Sequence, residues 1–212
     1  MKESDNTDGT EFEPLMPDIQ ADDAEVIERA RSDPGAFSTL FDRHAAALHR
    51  YVARRLGDSL ADDVVAETFL TAFRRLGRYD TAHRDARPWL YGIAANLIGK
   101  HRRTEVRAYL ALARTGVDEV AESYADRVEA RVSAGAAHRD LANALATLSP
   151  QDREVLLMIA WADLSYEEVA RALGIPVGTV RSRLHRARRK TRAALGGVDP
   201  SAVDEKEETG RG

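Results

Sequence analysis

The chain has 212 residues, a formal net charge of −4 at pH 7 and no cysteine. That length suits one ordinary domain or two small ones, and the missing thiols exclude a disulfide framework, a thiolate zinc site and a thiol redox switch. The charge is unevenly placed: residues 1–28 carry −9 and residues 199–212 carry −3, which leaves +8 on residues 29–198. An acidic total therefore conceals a basic middle suited to nucleic acid.

The first two dozen residues mix Asp, Glu, Ser, Thr, Gly and Pro with few apolar anchors, so residues 1–28 read as an acidic disordered tail. From Ala36 the apolar positions recur at helical spacing, through Phe37, Leu40, Phe41, Leu48, Tyr51, Val52 and Leu56, and Gly57 closes the run. A second helix is expected from about Leu60 to Leu76. Its inward face holds Val65, Phe69, Ala72, Phe73 and Leu76, and Asp63, Glu67, Thr71 and Arg74 point outward. Read alone, that outward face is ordinary solvated surface.

A third helix is expected from about Pro88 to Arg103. Leu90, Ile93, Ala94, Leu97 and His101 form its buried stripe, and Trp89, Gly92, Asn96, Lys100 and Arg103 gather on the other side. An aromatic ring, an amide and two cations beside a small-residue gap suit unstacked single-stranded bases; the alternative is a Trp89 packed into the core beside solvated cations. Residues 104–138 contain Gly116 and Gly135 and have weak apolar periodicity, so they read as a linker. A second helical cluster, residues 139–197, opens with Leu141, Leu145 and Leu148. Ser149-Pro150 then supplies a cap and first-turn proline ahead of Val155, Leu156 and Ile159. Residues 198–212 form a second acidic tail. Nothing alternates with period two, so the fold class is all-α.

The sharpest local signal lies near the C-terminus. Ser165-Tyr166-Glu167-Glu168 has the form of a capping box, Gly174-Ile175-Pro176 breaks the helix it opens, and a second helix runs from Val177 to about Ala194. The pair fits a helix-turn-helix. Val180, Leu184 and Ala187 share one stripe of the second helix, which leaves Gly178, Ser182, His185, Arg186 and Arg189 opposite, flanked by Arg181, Arg183 and Lys190. Between Arg171 and Arg192 there are eight Lys or Arg and no Asp or Glu. A merely solvated helix interleaves signs, whereas a helix that lies in a groove does not.

Enzyme chemistry finds no footing. His44 and His49 sit on different helical faces, and no metal-ligand spacing, nucleophile elbow or phosphate loop appears. No cofactor or metal is expected. The longest dense apolar run, Val155 to Trp161, is too short to cross a bilayer, and the acidic N-terminus lacks the layout of an export signal. The chain is read as soluble and cytoplasmic.

Three segments in this order, Asp62 to Arg75 (DDVVAETFLTAFRR), Arg87 to Arg103 (RPWLYGIAANLIGKHRR) and Leu148 to Arg189, resemble the bacterial sigma-70 family, specifically its small two-domain extracytoplasmic-function (ECF) group. The resemblance implies a region 2 domain at residues 29–103 and a region 4 helix-turn-helix domain at residues 139–197, joined by a flexible linker. It implies that the first motif docks on core RNA polymerase through Asp62, Asp63, Glu67, Thr71 and Arg74. Ala66 stands where many members carry glutamine. The second motif is similar to the part that captures the minus-ten promoter element, which assigns that role to Trp89, Asn96, Lys100, Arg102 and Arg103. The third is similar to the reader of the minus-thirty-five element, with Gly178, Thr179, Arg181, Ser182, Arg183, His185, Arg186, Arg189 and Lys190 at the DNA. Core polymerase, promoter DNA and an anti-sigma factor are the partners it implies, with no small-molecule substrate and no membrane insertion. The competing reading is a conventional helix-turn-helix repressor or activator whose first domain senses or dimerises.

Overall fold

In a computed structural model, residues 21–115 and 139–195 are described. They form helices without a strand among them: α1 (Asp23–Ala30), α2 (Ser38–Leu56), α3 (Asp58–Arg74), α4 (Arg87–Lys100) and α5 (Arg102–Thr115) in the N-terminal half. The helix α6 (residues 139–147), with α7 (Pro150–Ala162), α8 (Tyr166–Leu173) and α9 (Val177–Ala194), makes the C-terminal half. Short 3-10 turns at Pro34–Phe37 and Leu76–Arg78 lead into α2 and follow α3.

Helix α2 is central and packs against α1, α3, α4, α5 and α7. Leu40, Leu48, Tyr51, Val52 and Leu56 point inward from it, as the apolar spacing requires. Phe41 does not: it is 45% exposed, although its spacing placed it with the core residues. One continuous apolar cluster runs through both halves of the chain.

Three boundaries differ from the sequence reading. Residues 23–28, assigned to the acidic tail, belong to α1, whose Val26 and Ile27 are fully buried. Its acidic residues are structural. Asp22 caps the helix by accepting from the Glu25 amide at 3.0 Å, and Glu25 returns the bond to the Asp22 amide at 3.1 Å. The tail itself, residues 1–20, lies outside the described residues. Residues 104–115, assigned to the linker, continue α5, which places Glu105 and Tyr109 in the interior; residues 116–138 lie outside the described residues. The third helix stops at Lys100, with His101 as its cap, so Arg102 and Arg103 belong to α5 and not to α4.

The buried Asp23 carboxylate ties α1 to the rest of the N-terminal half. It accepts from Arg43 at 3.1 Å and from the Ala86 amide at 3.0 Å, and it pairs with His44 Nε2 at 2.7 Å. Burial pushes its pKa up, but the His44, Ala86 and Arg43 bonds outweigh that and hold it below the ordinary 3.8. A carboxylate with a depressed folded value stabilises the fold above 3.8, and that contribution is lost as the pH falls through the folded value. Asp23→Asn should therefore lower the unfolding free energy at neutral pH by about 2 kcal/mol. In urea melts, the gap between parent and variant should shrink below pH 3.8; a constant gap would show that the charge is not the source.

Candidate nucleic-acid and polymerase interfaces

The helix-turn-helix is built as its capping residues require. Ser165 Oγ accepts from the Glu168 amide at 3.2 Å, and Glu168 accepts from the Ser165 amide at 2.7 Å. Gly174 ends α8 at φ +62°, a left-handed backbone that costs a side-chain-bearing residue about 1–2 kcal/mol. The Ile175 amide then bonds back to Ala170 O at 3.0 Å. Pro176 caps α9, and Val180, Leu184 and Ala187 bury one stripe of it.

The opposite face meets solvent as expected. Gly178, Arg181, Ser182, His185, Arg186, Arg189 and Lys190 are exposed, and Thr179 and Arg183 are half-buried. Ser182 Oγ donates to Thr179 O at 3.0 Å, which leaves its lone pairs free to accept. Arg186 is not wholly available, because it donates to Asp152 on α7 at 2.9 Å. Burial raises the Asp152 pKa, but the Arg186 and Ser149 bonds prevail and keep it below the ordinary value. Arg188 went unnoticed in the sequence. It lines a cleft of about 380 Å³ with Tyr166, Arg181, His185 and Arg189. The signal was present, since Arg181, His185, Arg188 and Arg192 follow one helical stripe.

The candidate single-strand face of α4 is more covered than its periodicity suggests. Trp89 is half-buried and packs on Tyr79 with ring centroids 4.8 Å apart. Asn96 is exposed but donates to Gly92 O at 3.0 Å, and Lys100, Arg102 and Arg103 are exposed. Gly92, assigned to the outward side, is buried, because α8 lies over it. A Cβ at position 92 would stand 2.4 Å from Ala172 O. The close approach that glycine permits is made here by protein backbone.

On α3, Asp62, Asp63, Glu67 and Arg74 are exposed and Thr71 is half-buried, with its hydroxyl 3.5 Å from Glu67. His49 Nε2 lies 3.2 Å from Asp62. Beside them Leu70 is 42% and Phe73 39% exposed, and Phe73 and Phe41 extend the Phe37–Phe69 ring cluster to the surface. Phe73 had been placed with the inward face. The acidic row thus borders an apolar patch, which isolated solvated surface would not need.

The family model described as Sigma-70 region 2 matches residues 40–108, and Sigma-70, region 4 matches residues 138–191. The ECF RNA polymerase sigma factor SigL of Mycobacterium tuberculosis is 35% identical over 81% of this chain and 96% of its own length. RNA polymerase sigma factor NccH of Alcaligenes xylosoxydans xylosoxydans is 34% identical over 85% and 97%. Among solved structures, CnrH in complex with the cytosolic domain of CnrY aligns with a TM-score of 0.57 at 28% identity, over 84% of this chain and 99% of that one.

If the left-handed turn fixes the helix-turn-helix, Gly174→Ala should cost about 1 kcal/mol, read as a lower melting temperature together with weaker duplex binding; an unchanged melt would remove Gly174 from that role. Region 2 and region 4, matched in that order along the chain, place it in the sigma-70 family, within its ECF group.

Proposed function

We propose that this sigma factor divides its work among three surfaces. The α3 face, with Asp62, Asp63, Glu67, Thr71 and Arg74 around Leu70, Phe41 and Phe73, docks on core RNA polymerase. Trp89, Asn96 and Lys100 of α4, with Arg102 and Arg103 of α5, capture unstacked bases of the minus-ten element. The exposed row on α9 reads the minus-thirty-five element in the major groove: Ser182, His185 and Arg186 face base edges, and Arg181, Arg183, Arg189 and Lys190 meet phosphates, with Gly178 and Thr179 at the helix start. The reading rests most on that row, which stands opposite Val180, Leu184 and Ala187 and carries cations without interleaved acids.

The work is done by binding, not by bond cleavage. Unstacking bases costs a few kcal/mol per step, and capture by α4 and α5 offsets it. No helix among the described residues is long and apolar enough to cross a membrane, and a cytoplasmic setting follows from the proposed partners. An inhibitory protein of the anti-sigma kind is part of the proposal. CnrH is seen in complex with the cytosolic domain of CnrY, and the apolar patch around Leu70 offers such a partner a surface. A free-standing repressor leaves that patch without a purpose.

Two measurements test these assignments. Lys190→Ala should weaken duplex binding across all sequences and reduce the salt slope of the affinity by about one, whereas His185→Ala should change the preferred sequence. Leu70→Asp should abolish co-elution with core polymerase and promoter-dependent transcripts while duplex binding persists. A Leu70→Asp protein that still supports full transcription would overturn the docking assignment.

A further inference from the structure

The C-terminal half carries an apolar groove that none of the three surfaces above uses. Leu141 and Leu145 of α6 and Leu156, Ile159 and Trp161 of α7 line a cleft of about 330 Å³, and Arg188 and Arg192 of α9 border it. A second cleft of about 250 Å³ continues it, since Leu141, Leu145 and Trp161 line both. There Arg54 of α2 stands with its guanidinium 5.7 Å from the centre of the Trp161 ring. Among the described residues no acid lines either cleft. Leu141, Leu156, Ile159 and Trp161 are each partly exposed. Apolar residues scattered singly over a surface need no explanation, but a contiguous patch marks a place where something binds.

The chain itself holds a segment with the complementary pattern. Residues 1–20 carry six acids and one lysine, and Phe12, Leu15, Met16 and Ile19 stand among Glu11, Glu13 and Asp18. Apolar side chains interleaved with acids match an apolar groove bordered by arginines. Pro14 and Pro17 restrict the free chain, which lowers the conformational entropy that docking costs. Residues 199–212 are acidic as well, but Ala202 and Val203 are their only apolar side chains, too few to fill the groove.

The groove is also within reach of that segment. Asp23 bonds to Arg43 and His44 on α2, and Arg54 lies about 16 Å beyond Arg43 along the same helix, at a rise of roughly 1.5 Å per residue. Leu15 precedes Asp23 by eight residues, which span about 26 Å when extended. We infer that residues 11–19 dock in the groove between α6, α7 and α9 as an intramolecular ligand of region 4. Their apolar side chains lie against Leu156, Ile159 and Trp161, and their acids lie beside Arg54 and Arg188. The docked segment shields this apolar surface, so any partner that uses the groove must first displace it.

The absence of cysteine allows a direct test on the full chain, because Thr10→Cys places a single spin label in the tail. In methyl NMR spectra the label should broaden Leu141, Leu145, Leu156 and Ile159, while the exposed Leu70 of α3 and Leu110 of α5 stay sharp. Leu15→Asp in the labelled chain should reduce that broadening roughly tenfold, since burial of one leucine side chain supplies at least such a factor. Arg188→Glu should weaken it as well. Broadening that is centred on Leu70 or Leu110, or that Leu15→Asp leaves unchanged, overturns the docking. So does broadening that passes between chains when a spin-labelled chain is mixed with an isotope-labelled one, because the occupant is then a second copy. A groove that stays shielded from a soluble paramagnetic agent after deletion of residues 1–20 is filled by residues 116–138 or 199–212, and that result also overturns it.

Discussion

Arg55 occupies the place where the most distant parts of the chain come together. Its guanidinium holds Tyr51 on its own helix, Glu105 from α5 and Glu154 from α7, and Arg153 closes the ring through Glu105. Burial lowers the pKa of such a group, yet its interactions with Tyr51, Glu154 and Glu105 hold it well above the ordinary value. Removing one partner from a buried network leaves an uncompensated charge, and that penalty is far larger than the net worth of the intact network. The Arg55–Glu105–Arg153–Glu154 quartet therefore joins α2 and α5 of region 2 to α7 of region 4.

Charge organises the remainder of the molecule by the same logic. The recognition helix gathers cations on one face. Asp152, held on α7, reaches this face at Arg186. The face of α3 proposed to meet polymerase is acidic and apolar at once, a combination that suits burial of Phe41, Leu70 and Phe73 together with charge complementarity. Each surface is carried on a helix whose other side is packed, which keeps its residues in fixed register.

Much of this could be read from residues in order. Ser165 with Glu168, Ser149 with Pro150 and Gly174 signal helix ends through bonds made within a few residues, and all three behave as local chemistry demands. The stripe of Val180, Leu184 and Ala187 follows from helical period alone. What escaped is what depends on distant neighbours. Helix α1 was hidden because Asp22, Asp23 and Glu25 look like tail charge until Arg43, His44 and Ala86 fold against Asp23. Helix α5 was hidden because its buried residues include Glu105, an acid that no hydrophobic period would count. Phe41 and Phe73 fit an apolar stripe but reach the surface, stacked on the outer side of the buried Phe69 and the half-buried Phe37. Gly92 showed that something approaches α4 closely, and the structure puts Ala172 there.

The central claim is that one chain reads promoter DNA with two separate surfaces while it holds polymerase with a third. It is tested most directly by mapping transcripts from core polymerase reconstituted with this protein on templates whose upstream sequence is randomised. The account predicts two short blocks of sequence dependence, with the upstream block altered by His185→Ala and the downstream block weakened by Asn96→Ala. A single block that responds to both substitutions, or initiation indifferent to upstream sequence, would contradict it.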